Sequence, residues 1–349
     1  MRDAILVTGA AGFAGSHLID LLARDGIPFV AWRRPVSAAA VTPAASGFSR
    51  MGPDSASVAS GFSRMGPDSP SVASGFSRMG PLVSWQNIDL LDAPAVRRAI
   101  EELRPAAVYH CAGAAHVGRS WTNSANTFSV NVRGTHHLLE ALRHAKVPAA
   151  VVIPSSAMVY AGADVPLNED APLVPNSPYA LSKLAQEMLG RRAVDDGLRI
   201  TIARAFNHFG PRQDPFFVAA GFARRIADIE AGKWEPEISV GNLEARRDLT
   251  DVRDTVRAYR LILEKGTAGR AYNVCSGRAI AIRELLDMLL ARARVPIRIR
   301  LDPHRYRPND TPLLVGDPTR IRTELGWQPE IPIERAIDDV LEYWRARSM

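Results

Sequence analysis

Residues 4–15 read Ala4-Ile5-Leu6-Val7-Thr8-Gly9-Ala10-Ala11-Gly12-Phe13-Ala14-Gly15. The apolar run suits a buried strand, and the glycines at 9, 12 and 15 then open a helical pattern. Strand, glycine-rich turn and helix in that order form a dinucleotide fingerprint. One glycine permits the tight turn, one lets a pyrophosphate approach backbone N–H groups at the positive end of the helix, and one lets helix and strand pack closely. The spacing here is TGxxGxxG instead of the commoner GxGxxG. Gly9, Gly12, Phe13, Ala14 and Gly15 are the cofactor-binding residues this stretch predicts.

Outward from this unit the alternation continues. Strand-like runs at 29–32, 107–111, 149–154 and 199–205 are interleaved with helical patterns near 12–24, 95–102, 127–145 and 177–193. Such alternation predicts an α/β protein: a Rossmann-type, doubly wound parallel sheet with helices on both faces. Further helices near 217–231, 252–264, 282–293 and 333–346 sit among shorter strands and predict a smaller α+β C-terminal domain for substrate. The expected division is 1–205 for the cofactor and mainly 206–349 for the substrate, with 246–265 returning to the first domain. Residues 46–81 interrupt the pattern: SGFSRMGPDSASVA is followed by SGFSRMGPDSPSVA and a truncated SGFSRMGP. This fourteen-residue unit is too short and too rich in Gly, Pro and Ser for a packed solenoid, so it reads as a duplicated, flexible insert between the second and third strands.

Between Asp25 and Asp54 there is no acidic residue to hold ribose hydroxyls, and the second strand ends in Arg33-Arg34. Two guanidinium groups there suit a 2′-phosphate, which favours NADP(H) over NAD(H). Downstream, Tyr179-Ala180-Leu181-Ser182-Lys183 sets a phenol and an ammonium one turn apart on one helix face. A neighbouring cation is expected to lower the phenol pKa and let it exchange a proton with a substrate oxygen while hydride moves. Ile153-Pro154-Ser155-Ser156 ends another buried strand in hydroxyls, at the carboxyl edge where wound sheets bind ligands.

The 349 residues, 46% of them hydrophobic and 23% charged, can bury a core large enough to exclude water from a site. No stretch has the length of a transmembrane helix, and the early apolar run leaves no room for a signal peptide. Two cysteines, Cys111 and Cys275, cannot build a disulfide framework or a zinc site, and the histidines lack ligand spacing, so no metal is expected and a reducing cytoplasm fits. The net charge of +6 is scattered, without a basic aromatic strand or recognition helix. A phosphorylated small molecule accounts for it better than nucleic acid.

TGxxGxxG, Ser156, Tyr179 and Lys183 together resemble the extended short-chain dehydrogenase/reductase family, over the whole chain except the insert. The resemblance implies that Ser156, four residues before Tyr160, donates to the substrate carbonyl. It also implies that Asn131 organises the backbone near the lysine and that Asp89 and Leu90 meet the adenine. The segments 204–211, 240–248 and 272–277 are similar to the subgroup holding GDP-mannose 4,6-dehydratase and GDP-6-deoxy-D-mannose reductase. Carried over, Asn207 and Arg247 would touch the phosphates of a nucleotide-diphosphate sugar, GDP-linked in this subgroup, and Arg307 and Asp310 would hold phosphate and ribose. Gly221 stands where the dehydratases have a lysine, which puts guanine recognition in doubt.

The dehydratases place Glu or Asp-Glu after their Ser/Thr to remove the C5 proton, but this chain has Ala157 and Met158, which cannot transfer one. A dehydratase is therefore disfavoured, and the resemblance of 243–254 and 273–277 to the GDP-sugar reductases, together with Arg33-Arg34, favours reduction of a 4-keto-6-deoxy sugar by NADPH. The alternatives are a 4-epimerase, then a 4,6-dehydratase, then a catalytically silent NADP-binding protein. The resemblance also implies a homodimer packed through helices 127–145 and 177–193.

Overall fold

The structure is a computed structural model that describes residues 4–35, 83–305 and 311–349. The repeat insert, Arg307 and Asp310 lie outside the described residues. In chain order the strands are β1 (Ile5–Thr8), β2 (Phe29–Arg33), β3 (Val83–Asn87), β4 (Ala107–His110), β5 (Ala150–Ser156), β6 (Arg199–Ala205) and β7 (Asn207–Phe209). They continue with β8 (Glu237–Val240), β9 (Arg246–Asp251), β10 (Ala271–Val274), β11 (Ala279–Ala281), β12 (Arg298–Leu301) and β13 (Leu313–Leu314).

Seven strands form one parallel sheet in the order β10-β6-β5-β4-β1-β2-β3. The order reverses at β1 and β4, so the carboxyl ends of those strands flank a crevice. Helices Phe13–Arg24 and Val252–Lys265 cover one face, burying Leu18, Leu22, Val256 and Tyr259. Helices Ala93–Leu103 and Gly134–His144 cover the other with Val96, Ile100, Leu138 and Leu142. Both faces are dry, which is why the strands are runs of Val, Ile and Ala without polar alternation.

Within 246–265, residues 252–265 pack on this sheet as a helix and 246–251 form β9 of a small second sheet. Two further returns were not expected: β10 completes the large sheet beside β6, and the Thr319–Leu325 helix buries Ile321 and Leu325 against the same core. The small sheet runs β11-β9-β13 with β7 also on β9, and a third pair joins β8 to β12. Helices Val218–Glu230, Ile282–Leu290 and Ile333–Ser348 close its core around Ile226, Leu286, Ile337 and Trp344. No described helix is long and apolar enough to cross a membrane.

The helix expected over 127–145 is not continuous. Ser124–Phe128 is α-helical, Ser129–Arg133 winds as a π-turn, and Gly134–His144 resumes the α-helix. Cys111 and Cys275 fall one residue beyond β4 and β10, and both are free thiols.

Candidate active site

The glycine loop is shaped by contacts no side chain could survive. Gly9 has φ +65°, and a Cβ there would lie 2.5 Å from the backbone of Ala112 on the β4 loop. A Cβ on Gly15 would lie 2.2 Å from the Gly9 carbonyl oxygen. Gly12 is the N-cap of the Phe13–Arg24 helix and supplies no side-chain cap, so the first N–H groups of that helix face the loop. These features fit a pyrophosphate.

At the end of β2, Arg33 Nε donates to Asn87 Oδ1 at 2.8 Å and its guanidinium lies 5.6 Å from the Trp85 ring, while Arg34 Nε is 3.4 Å from Asp89 Oδ2. Both arginines stay exposed, so partners on β3 and its loop orient them without burying them. Asp89 also accepts the Leu91 N–H at 2.9 Å, and buried Leu90 offers its carbonyl to His137 Nδ1 at 2.8 Å.

Ser177 caps the Pro178–Asp195 helix by accepting the Ala180 N–H at 3.1 Å, and Pro178 fills the first position. Tyr179 thus stands in the first turn, its N–H held by Ser120 Oγ at 3.1 Å. The Ser156 hydroxyl at the end of β5 neighbours its phenol. Burial raises the Tyr179 pKa, and the Ser156 contact only partly opposes this. The expected lowering by Lys183 is therefore overridden: enclosure of the phenol end disfavours phenolate more than its neighbours favour it, and Tyr179 rests as a neutral acid. Burial also brings the Lys183 ammonium down to about 8, opposed chiefly by the Glu187 carboxylate.

The adjacent serine has another task. Ser155 Oγ donates to Glu187 Oε1 at 2.6 Å, and Glu187 accepts a bidentate pair from fully buried Arg204. Arg204 reaches on to the Tyr160 hydroxyl at 2.9 Å, and Tyr160 donates to Asn273 Oδ1 at 2.7 Å. This satisfied buried ion pair fixes β5, β6 and β10 behind the site. Asn131 holds the β4 loop with its side chain, accepting the Ala114 N–H at 2.7 Å and donating to Ser182 Oγ at 2.9 Å.

The residues assigned to the substrate are less tightly gathered. Asn207 is exposed at the start of β7, immediately beyond β6. Arg247 turns to the carbonyls of Arg246 and Thr311 at 2.9 and 2.7 Å. Its neighbour Asp248 is buried and accepts the N–H groups of Ser276, Gly277 and Gly316, which ties two loops to β9 beside it. A Cβ at Gly221 would meet the Pro215 carbonyl oxygen at 2.6 Å, so this backbone leaves no room for the dehydratases' lysine. Sequence reading missed Gln186, which accepts from Lys183, and Thr135 and His110 behind it; their only local signal is polarity on otherwise apolar faces.

Fold and site together define an enzyme of the extended short-chain dehydrogenase/reductase class. Residues 77–340 match the family model described as GDP-mannose 4,6 dehydratase, and the chain belongs to that family. It is 38% identical over 263 residues to GDP-6-deoxy-D-mannose reductase of Pseudomonas aeruginosa, spanning 74% of this chain and 86% of the relative. GDP-mannose 4,6-dehydratase of Yersinia enterocolitica is 27% identical over 279 residues, spanning 70% of this chain and 74% of that protein. Among solved structures, RMD from Pseudomonas aeruginosa complexed with NADPH superposes with a TM-score of 0.79 at 31% identity over 99% of both chains. UDP-glucose 4-epimerase from Thermotoga maritima with UDP-glucose gives 0.77 at 25% identity, over 99% of this chain and 100% of that one.

Proposed function

We propose that the protein uses NADPH to reduce the 4-keto group of a nucleotide-linked 4-keto-6-deoxy sugar, with GDP-4-keto-6-deoxymannose the first substrate to test. The observation that carries this reading is the make-up of the site: a neutral Tyr179 beside Ser156, which is followed by Ala157 and Met158, side chains that offer no second proton-transfer group. Such a site can protonate one oxygen but cannot also strip a C5 proton and expel a C6 hydroxyl. Bound NADPH supplies the hydride that adds to the C4 carbon.

Ser156 donates a hydrogen bond to the ketone oxygen, and Tyr179 delivers its phenolic proton there, so the C=O bond becomes C–H and O–H. The Lys183 ammonium then balances the phenolate until solvent returns the proton. Arg33 and Arg34 favour the 2′-phosphate of NADP(H), and Asp89 and Leu90 line the adenine end. Asn207 and Arg247, with Arg307 and Asp310, take the sugar-nucleotide; Arg247 exchanges its backbone acceptors for phosphate oxygens. Division into a cofactor lobe ending near residue 205 and a substrate lobe beyond it belongs to this proposal. So does a homodimer through helices 127–145 and 177–193, where Leu181 and Met188 stand exposed; a monomer's mass by light scattering at micromolar concentration would reject it.

The test is stoichiometric loss of nicotinamide absorbance with NADPH and the keto sugar. Tyr179→Phe should lose on the order of 10²-fold or more in kcat. Isomerisation without net NADPH consumption would replace the reading with epimerisation, water loss from GDP-mannose with dehydration, and no turnover of any keto sugar with a silent binding protein.

A further inference from the structure

The lysine of the site has a partner that its motif does not contain. Lys183 Nζ donates to Gln186 Oε1 at 2.5 Å, the Gln186 amide donates to Thr135 Oγ1 at 2.6 Å, and the Thr135 hydroxyl donates to the Asn131 carbonyl at 2.6 Å. His110 Nε2 lies 2.9 Å from the same Thr135 oxygen, and His110 Nδ1 lies 2.8 Å from Thr8 Oγ1. Thr8, Asn131, Thr135 and Gln186 are fully buried and His110 nearly so.

The protons of this chain can be assigned in full. A carbonyl only accepts, so Thr135 gives its proton to Asn131, and both Gln186 and His110 must then donate to the Thr135 oxygen. His110 is thereby the Nε2–H tautomer, with Nδ1 accepting from Thr8. With its nitrogen held by Thr135, Gln186 has one orientation left, and that orientation turns Oε1 to the lysine.

We infer that Gln186 is a positioning residue for Lys183: its carbonyl, locked through Thr135, Asn131 and His110, holds the ammonium in place and favours its charged form. The inference rests on the roles of Tyr179 and Lys183 proposed above. The Glu187 carboxylate favours the ammonium from a distance, and the direct hydrogen-bond acceptor is Gln186. Glu187, on the same helix, is engaged by Arg204 and Ser155. From β4, the Cys111 thiol is pushed up to about 12 by burial and stays neutral, and burial holds His110 down at about 3, also neutral. Tyr179 and, from helix Val252–Lys265, Tyr259 are both raised by burial.

Gln186→Leu keeps the shape and deletes the acceptor, and Gln186→Glu keeps an acceptor and adds charge; Lys183→Met is the control for the parent reading. A hydrogen bond to a buried charge accounts for roughly ten- to one-hundred-fold, so Gln186→Leu should lower kcat by that factor while KM for NADPH changes less than about threefold. Because the ammonium is lost as pH rises through about 8, kcat should fall on the alkaline side. Gln186→Leu should move that fall about one unit lower, and Gln186→Glu should move it higher. A wild-type kcat and pH profile in folded Gln186→Leu, with Lys183→Met inactive, overturns this inference alone. Full activity of Lys183→Met instead overturns the proposed chemistry. Should Gln186→Leu fail to fold, Thr135→Val, which frees the amide to turn, should shift the profile the same way by less; an unshifted profile there also overturns the inference.

Discussion

Acidification from pH 7 to pH 5 should remove about 4 kcal/mol of folding stability through two histidines that do not touch each other. His110 is bound as the neutral tautomer described above, and burial, then the nearby Lys183 charge, brings its pKa from 6.5 to about 3. His17, on the glycine-loop helix, donates Nε2–H to the Pro211 carbonyl at 2.8 Å and accepts the Arg212 guanidinium at Nδ1 at 2.8 Å. Burial and then Arg212 bring it to about 3 as well. Both folded values lie below the unfolded one. Between pH 6.5 and 3 the unfolded chain therefore holds two protons that the native chain refuses, and stability falls as pH falls through that window.

Each proton is worth about 1.4 kcal/mol per pH unit well below 6.5, and the partial titration near pH 6.5 reduces the loss from pH 7 to pH 5 to about 2 kcal/mol per histidine. Against a typical total of about 5–15 kcal/mol, that is a large share. His208 and His116, also held low by burial, act in the same direction. Buried Glu169 and Asp248 have raised values and act oppositely, from ordinary values of 4.5 and 3.8. Urea denaturation followed by far-UV circular dichroism at pH 7, 6 and 5 measures the slope. His17→Gln and His110→Gln should each flatten it by about half, whatever they cost at pH 7. A flat wild-type profile, or an undiminished slope in the double variant, refutes the argument.

Two further outcomes bear on the cofactor end. Gly15→Ala drives a methyl into the Gly9 carbonyl at 2.2 Å, where only backbone can yield; overpacking of about 1–3 kcal/mol should weaken NADPH binding at least about fivefold in a fluorescence titration, and wild-type affinity would disprove that crowding. Replacing Arg33 and Arg34 with serine should cut the NADPH over NADH preference in kcat/KM on the order of 10²-fold, since charge-assisted bonds to one phosphate are removed. An unchanged preference takes both arginines out of the cofactor assignment.

Features local in sequence are legible in the chain itself. The glycine loop, the Ser177-Pro178 start that sets Tyr179 in a first turn, and the Ser156 edge position each depend on a few consecutive residues and on periodicity. What was lost depends on distance along the chain. β10 pairs with β6 across about seventy residues, and nothing in Ala271–Val274 itself distinguishes a large-sheet edge from the small sheet beside it. The π-turn at Asn131 looks helical by pattern, because one wider turn hardly disturbs the apolar stripe. Gln186 is an ordinary helix-former whose significance arises only when Thr135, from another helix, fixes its amide. The motif predicts a more acidic Tyr179 than the fold holds for a related reason: it displays the nearby charge but not the enclosure that outweighs it.

The late arrival of β10 has a consequence for biosynthesis. Until residues 271–274 leave the ribosome, β6 is an unpaired outer strand with Ile200 and Ile202 on a fully dry segment. At a synthesis rate of roughly 5–20 residues per second, the nascent chain carries that sticky border for several seconds or more. A fragment released at residue 205 would keep it permanently, and should aggregate where the whole polypeptide does not.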